Sequence, residues 1–307
     1  MKNRSGRSGT RINSGAHPLA VLMILTALLL FSGCDQKPTE VEDYEPEPVL
    51  QGYLVRGVPV DRVFLEWVAP LEGYYDRSQY GIGGASMVIF PVGAPGDTLH
   101  LVQHSDPDSA WIYQPAAGES LVPQGGMLYR LEVKQPQEGV DLWAEALVPD
   151  TFSITWLTPP IPTGVDTLGA LTREDSNLFL TWTGAGSAGG YNLNVTCLTP
   201  VDSLLPLDPD WDPEEDELEP EDINLSFFWP MRYDQREMLI PWFMFIYEGW
   251  HRLDVQAISE EYYDYGMSIF RIEQGFPIQP ESNVQGGLGI FAGLDSHSYW
   301  VYMEKVE

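Results

Sequence analysis

Leu178-Phe-Leu-Thr-Trp-Thr183, a glycine-bearing gap, and Gly189-Gly-Tyr-Asn-Leu-Asn-Val-Thr-Cys197 decide how this chain is built. In the second stretch Tyr191, Leu193, Val195 and Cys197 alternate with polar residues, which places them on one face of a half-buried strand. The first stretch carries Trp182 on a strand of the same kind. Cys197 reads as a buried structural thiol, because no histidine is near it in sequence to stabilise a thiolate.

The pattern extends outward in both directions. Thr151 to Leu157, Asn177 to Thr183, Tyr191 to Leu198 and Trp250 to Ser259 form one set of strands. Val49 to Val55, Val60 to Val68, Ala85 to Val92, Thr98 to His104, Met127 to Lys134 and Val140 to Val148 form another, separated by Gly, Pro and Asp clusters such as Gly93-Ala-Pro-Gly-Asp97. Short strands without interleaved helices point to an antiparallel sandwich or barrel. Glu260 to Ile272 is the best helix candidate in the mature chain: acids begin it, Arg271 stands near its end, and Tyr263, Met267 and Phe270 follow at spacings of four and three, with Gly266 inside it.

A strand tryptophan followed by an aromatic on the next strand resembles the central strands of fibronectin-type and immunoglobulin-like sandwiches. The resemblance implies an all-β fold of two such sandwich domains in tandem, over 48–149 and 150–307, with one short helix near the C-terminus. One continuous two-layer β fold is the second choice.

Before these domains, Lys2, Arg4, Arg7 and Arg11 precede an apolar run from Leu19 to Phe31, which ends in Leu30-Phe-Ser-Gly-Cys34. The run is about 13 residues, against the roughly 20 that a membrane-spanning helix needs. The pattern resembles a bacterial lipoprotein signal, with Phe31 where such signals usually have Leu or Val. It implies that residues 1–33 are removed and that Cys34 is lipidated. Residues 34–47, rich in acids and proline, then read as a flexible tether. The only cysteine after Cys34 is Cys197, so a lipidated mature chain has no intramolecular disulfide, and stability must come from packing.

The formal net charge is −29, with 16 Lys and Arg against 45 Asp and Glu, which argues against a nucleic-acid partner. The acid is densest in 202–222, an extended solvated loop by its charge and prolines. Calcium is the sharper alternative. Asp208, Asp210 and Asp212 alternate as in the first half of a calcium loop, and Glu219 stands where a bidentate glutamate would close it, although Pro213 occupies the position that needs a flexible residue.

Catalytic patterns are sparse. His100 and His104 are four apart on a strand-like stretch and read as surface residues, and the metalloprotease glutamate is missing. Among so many acids, carboxylate pairs for glycoside hydrolysis carry no information. Gly286-Gly-Leu-Gly289 lacks the dinucleotide-binding pattern and reads as a turn or bulge. Tyr74, Tyr75 and Tyr80 cluster in one connection and are candidates for ligand or partner contact, whereas Phe227-Phe-Trp229 and Trp242-Phe-Met-Phe245 are expected to fill the junction between the two domains.

Ile258-Ser-Glu-Glu-Tyr-Tyr-Asp-Tyr265 followed by Glu281-Ser-Asn-Val-Gln-Gly-Gly-Leu-Gly-Ile-Phe-Ala-Gly293 resembles the C-terminal signature of a family of uncharacterised Bacteroidota-type lipoproteins. Val49-Leu-Gln-Gly-Tyr-Leu54, Gly84-Ala-Ser-Met-Val-Ile89 and Gly126-Met-Leu-Tyr-Arg-Leu-Glu-Val133 are similar to its first domain. The acidic insertion and Gly266, where the family more often has a bulkier residue, depart from it. Members are often encoded beside TonB-dependent outer-membrane receptors. The resemblance implies a non-enzymatic binding or accessory protein, lipid-anchored at the outer membrane, which works with such a receptor in capture or uptake. It does not fix which membrane face the tether occupies, and it carries over no catalytic residue. An extracytoplasmic hydrolase of glycan or peptide and a calcium-dependent surface protein are the alternatives.

Overall fold

In the computed structural model, residues 46–69, 76–94, 96–161, 164–172, 178–208 and 223–305 are described. Seven strands form the first half: β1 (Pro48–Val55), β2 (Val63–Trp67), β3 (Ser86–Pro91), β4 (Leu99–Gln103), β5 (Ile112–Pro115), β6 (Leu128–Gln135) and β7 (Val140–Leu147). The second half holds β8 (Ile154–Thr158), β9 (Thr167–Thr172), β10 (Leu178–Trp182), β11 (Gly190–Cys197), β12 (Ser226–Arg232), β13 (Glu237–Ile240), β14 (Gly249–Ile258), helix α1 (Glu260–Glu273) and β15 (Leu288–Glu304). The chain is all-β with a single α-helix among the described residues, as expected. The helix lies within one residue of its predicted range.

Alternation does the work in the first half. Leu50 and Leu54 of β1, Met87 and Ile89 of β3, Leu131 and Val133 of β6, and Leu142, Ala144 and Ala146 of β7 all point into one core, while alternate residues such as Gln51, Val88, Glu132 and Trp143 are turned away from it. The strands run in the order β15-β1-β2-β5-β4-β3-β6-β7. The sheet curls so far that β7 comes back to the approach of β15, where Trp143 and Gln285 exchange backbone hydrogen bonds of 3.2 and 2.8 Å. Asn283 locks this seam. Its Nδ2 donates to the carbonyls of Glu145 at 2.9 Å and Phe291 at 2.7 Å, and its Oδ1 accepts from the Phe291 N–H at 3.0 Å. Closing the sheet in this way leaves no long open edge beside β7.

The second half has two facing sheets. β13-β10-β8 forms the smaller, and β12-β11-β14-β15 faces it within the larger sheet, every neighbouring pair in both being antiparallel. Trp156, Leu180, Trp182 and Ile240 meet Tyr191, Leu193, Val255 and Val301 between them. Trp182 and Tyr191 lie 5.3 Å apart between ring centroids, the tryptophan-aromatic contact expected of a fibronectin-type sandwich. The Tyr191 hydroxyl accepts from the Ala185 N–H at 2.8 Å, so its polar end is satisfied in the core.

One strand serves both halves. β15 runs for 17 residues, roughly 55 Å at the rise of a strand. Leu288 to Leu294 pair in parallel with β1; Leu294 to Met303 pair antiparallel with β14, and Trp300 to Glu304 pair in parallel with β9. Phe291 accordingly belongs to the first core, as does Val284 ahead of the strand, and Val301 and Met303 belong to the second. The glycine-rich approach is a turn at Gly286 and Gly287 that leads straight into this strand.

Candidate functional site

Helix α1 presents Tyr262, Tyr265, Gly266, Ile269, Phe270 and Glu273 on one face, at the three- and four-residue spacings that align side chains on a helix. Two strands supply the opposite wall. Odd residues of β1 point away from the first core, which brings Tyr53 beneath the helix, and even residues of β12 point away from the second, which brings Phe228 there. These surfaces enclose a cleft of about 460 Å³. Tyr262 stands between the two strands' rings, 5.4 Å from Tyr53 at 50° and 6.5 Å from Phe228 at 42°. Tyr53, Tyr262, Tyr265 and Ile269 are half-buried, while Phe228, Phe270 and Glu273 stand exposed at the rim.

The three phenols are held in their protonated form. Burial raises Tyr53 well above the ordinary tyrosine range, and the nearby phenols of Tyr262 and Tyr265 add to the shift. Tyr262 and Tyr265 are raised by burial as well. Gln51 of β1 works against the rise at both Tyr53 and Tyr265, the smaller effect beside burial. Gly266 keeps the cleft open: a Cβ there would stand 3.2 Å from the edge of Phe228. Glycine inside a helix costs about 0.5–1 kcal/mol relative to alanine, so this space is kept against the helix's own preference.

The residues singled out in the sequence fall elsewhere. Cys34, Tyr74, Tyr75, Asp210, Asp212 and Glu219 lie outside the described residues. Tyr80 follows a short 3₁₀ turn, Arg77–Gln79, where its carbonyl accepts from the Trp67 N–H at 2.7 Å, and it does not line the cleft. Asp208 is exposed beyond β11. His100 pairs with Glu119 at 3.1 Å on open surface. The aromatic group 227–245 divides: Phe245 and Met244 enter the second core, Phe228 enters the cleft, and Phe243 is exposed. The Tyr-Tyr-x-Tyr stretch was visible as a motif, and its helix as a helix. Phe228 stood in a noted aromatic group and Tyr53 in the Val49 to Leu54 stretch, but nothing in the sequence signalled that they meet, since their meeting depends on two outer sheet faces converging under α1.

Cys197 does have a histidine beside it. His251 is its cross-strand partner, supplied by β14 across 54 positions of sequence. The ring is 1 % exposed, lies edge-on to Phe245 at 5.3 Å, and has its Nδ1 3.0 Å from the Gly249 carbonyl, with Nε2 lacking a hydrogen bond. Burial pushes its pKa down to about 4, against the smaller opposing effect of the Gly249 bond. Nδ1 therefore donates to Gly249 from a neutral ring. Below about pH 6.5 the unfolded chain takes up a proton that the folded chain refuses until about pH 4. Stability from this residue is full above that window and is lost as pH falls through it, by about 3 kcal/mol at about 1.4 kcal/mol per pKa unit. Urea unfolding of the parent and of His251→Phe at pH 7 and pH 5 checks this. The variant should lose less stability between the two, and equal losses would contradict the assignment.

No protein-family profile matches the chain, and no curated protein does. Among solved structures, the chain is similar at 12% identity to the fibronectin domains FN1–FN3 of chicken CNTN1, covering 85% of this chain and 68% of that one with a TM-score of 0.23. It is similar at 9% identity to a two-domain fibronectin type III segment of chicken tenascin, covering 70% and 92% with a TM-score of 0.20. The fold assignment rests on the sheets and their register. By those, the chain is an all-β protein whose second half is a fibronectin-like sandwich, with an aromatic cleft where its helix crosses the sheet.

Proposed function

We propose that the mature protein is a lipid-anchored extracytoplasmic binding protein, held at the outer membrane through Cys34, which works as the accessory partner of a TonB-dependent receptor in ligand capture or uptake. The observation that carries the binding role is the cleft under α1. Its volume of about 460 Å³ falls within the roughly 300–1,000 Å³ of small-molecule sites, and it combines aromatic walls with a few polar groups. Its ionisable lining is one rim carboxylate and three phenols held protonated, a set suited to retaining a ligand rather than to moving protons during bond cleavage. The resemblance of 258–265 and 281–293 to receptor-associated lipoproteins supports the partner, and the Leu30 to Cys34 pattern supports the anchor.

Solubilising native outer membranes in mild detergent and capturing the tagged full-length protein tests the partnership. A receptor-type channel protein should co-purify in stoichiometric amount. Recovery of the protein from intact membranes without such a channel would overturn the receptor assignment.

A further inference from the structure

The chemistry of the cleft under α1 narrows what it holds. Its walls are rings inclined to one another at 42° and 50°, which line a box rather than a single flat platform. Walls inclined in this way suit a compact rounded group better than the flat face of a sugar. The floor is made of neutral phenols, and Glu273 is the only described lining residue that is charged at neutral pH. A neutral apolar ligand would make no use of that carboxylate, and an anion would be repelled by it. An alkylated ammonium group uses both, because aromatic faces carry negative quadrupole potential and attract cations within about 6 Å of the ring centroid. The net charge of −29 works in the same direction by drawing cations toward the protein.

We propose that this cleft binds a small organic cation, an alkylated ammonium group, against the faces of Phe228, Tyr262 and Phe270, with the carboxylate of Glu273 facing the charge from the rim. The proposal rests on the reading of the cleft as the ligand site and adds the ligand's chemical class. Gly266 is its gatekeeper: without a side chain there, Phe228 can lean against the helix and form one wall of the box.

Titration calorimetry of the full-length protein in detergent tests it with two probes of the same shape. Choline carries the charge, and 3,3-dimethylbutan-1-ol replaces its nitrogen with carbon. Choline should bind at least about tenfold more tightly than the alcohol, a difference of about 1.4 kcal/mol. Phe228→Leu keeps apolar bulk but loses the ring face, and Glu273→Gln keeps shape but loses charge. Each should weaken choline by about threefold or more. Both positions are exposed, so an unchanged melting temperature will show that the variants fold. Equal binding of the two probes overturns the cation and leaves an apolar ligand site. Absence of choline binding up to about 100 mM, or indifference to both substitutions, overturns the proposal outright. Receptor partnership is decided separately by the membrane capture experiment, so a failure of one is not mistaken for a failure of the other.

Discussion

Gly289→Ala should destabilise the protein by about 3 kcal/mol or more, as read by urea unfolding, and should reduce the yield of folded material. Gly289 has φ +112°, a backbone conformation that side-chain-bearing residues rarely adopt, so strain alone accounts for about 1–3 kcal/mol. Packing adds to it. A Cβ at this position would overlap the carbonyl oxygen of Leu50 and lie 2.9 Å from its carbonyl carbon and its nitrogen. Leu50 is the direct register partner of Gly289 in the parallel β1–β15 ladder and is fully buried in the first core. The obstacle is backbone, so no rotamer change relieves it. β15 has to move away from β1, which opens the ladder and the core together. With a total stability of about 5–15 kcal/mol for a typical domain, a loss of this size is a large fraction.

Asn283→Ala tests the same seam through hydrogen bonding. It removes partners from the Glu145 carbonyl and from both backbone groups of Phe291, each costing about 1–3 kcal/mol where it is not rehydrated. Asn283→Asp separates the contributions, since it keeps an acceptor for the Phe291 N–H while losing both donors. A cost below about 1 kcal/mol for Gly289→Ala and Asn283→Ala alike would show that β15 is not held at this seam.

The second large effect concerns location. On the proposed anchor, Cys34→Ser should move essentially all of the protein from the membrane pellet to the soluble fraction. Two or three acyl chains hold a protein stably on a bilayer where one holds it marginally, and removal of the attachment residue eliminates them all. The compact unit begins at Pro46 and does not include Cys34, so far-UV circular dichroism and the urea midpoint should be unchanged. The variant also tests the proposed function, because on that proposal the receptor is met at the membrane through the tether. Retention in the pellet after the substitution would refute the anchor.

The seam also changes the meaning of the sequence block that carries the family resemblance. Glu281 to Gly293 contains Asn283, the turn at Gly286 and Gly287, and Gly289, all of which close the first sheet onto β15. Its glycines answer to backbone geometry. The other half of the resemblance contributes Tyr262 and Tyr265 to the cleft. One part of the signature therefore builds the fold, and the other builds the site.

The resemblance to fibronectin-type sandwiches implied the contact of Trp182 with Tyr191, and by itself the sequence determined the all-β class, six strands of the first half and the helix. Each rests on local information: alternation where one strand face is buried and the other solvated, helical spacing with charges matched to the dipole, and turn residues between runs. β15 escaped that reading. It contains Leu288 to Gly293, yet in its first half Gly289 to Asp295 are buried on both faces, so alternation vanishes from the very strand that joins the two cores. The cleft and the Cys197–His251 pair were equally invisible, because each is made of residues brought together across tens to hundreds of positions by sheet register. Local pattern encodes which face of an element is buried; only tertiary structure decides what the outer faces meet, and here they meet in a cleft lined by aromatic rings.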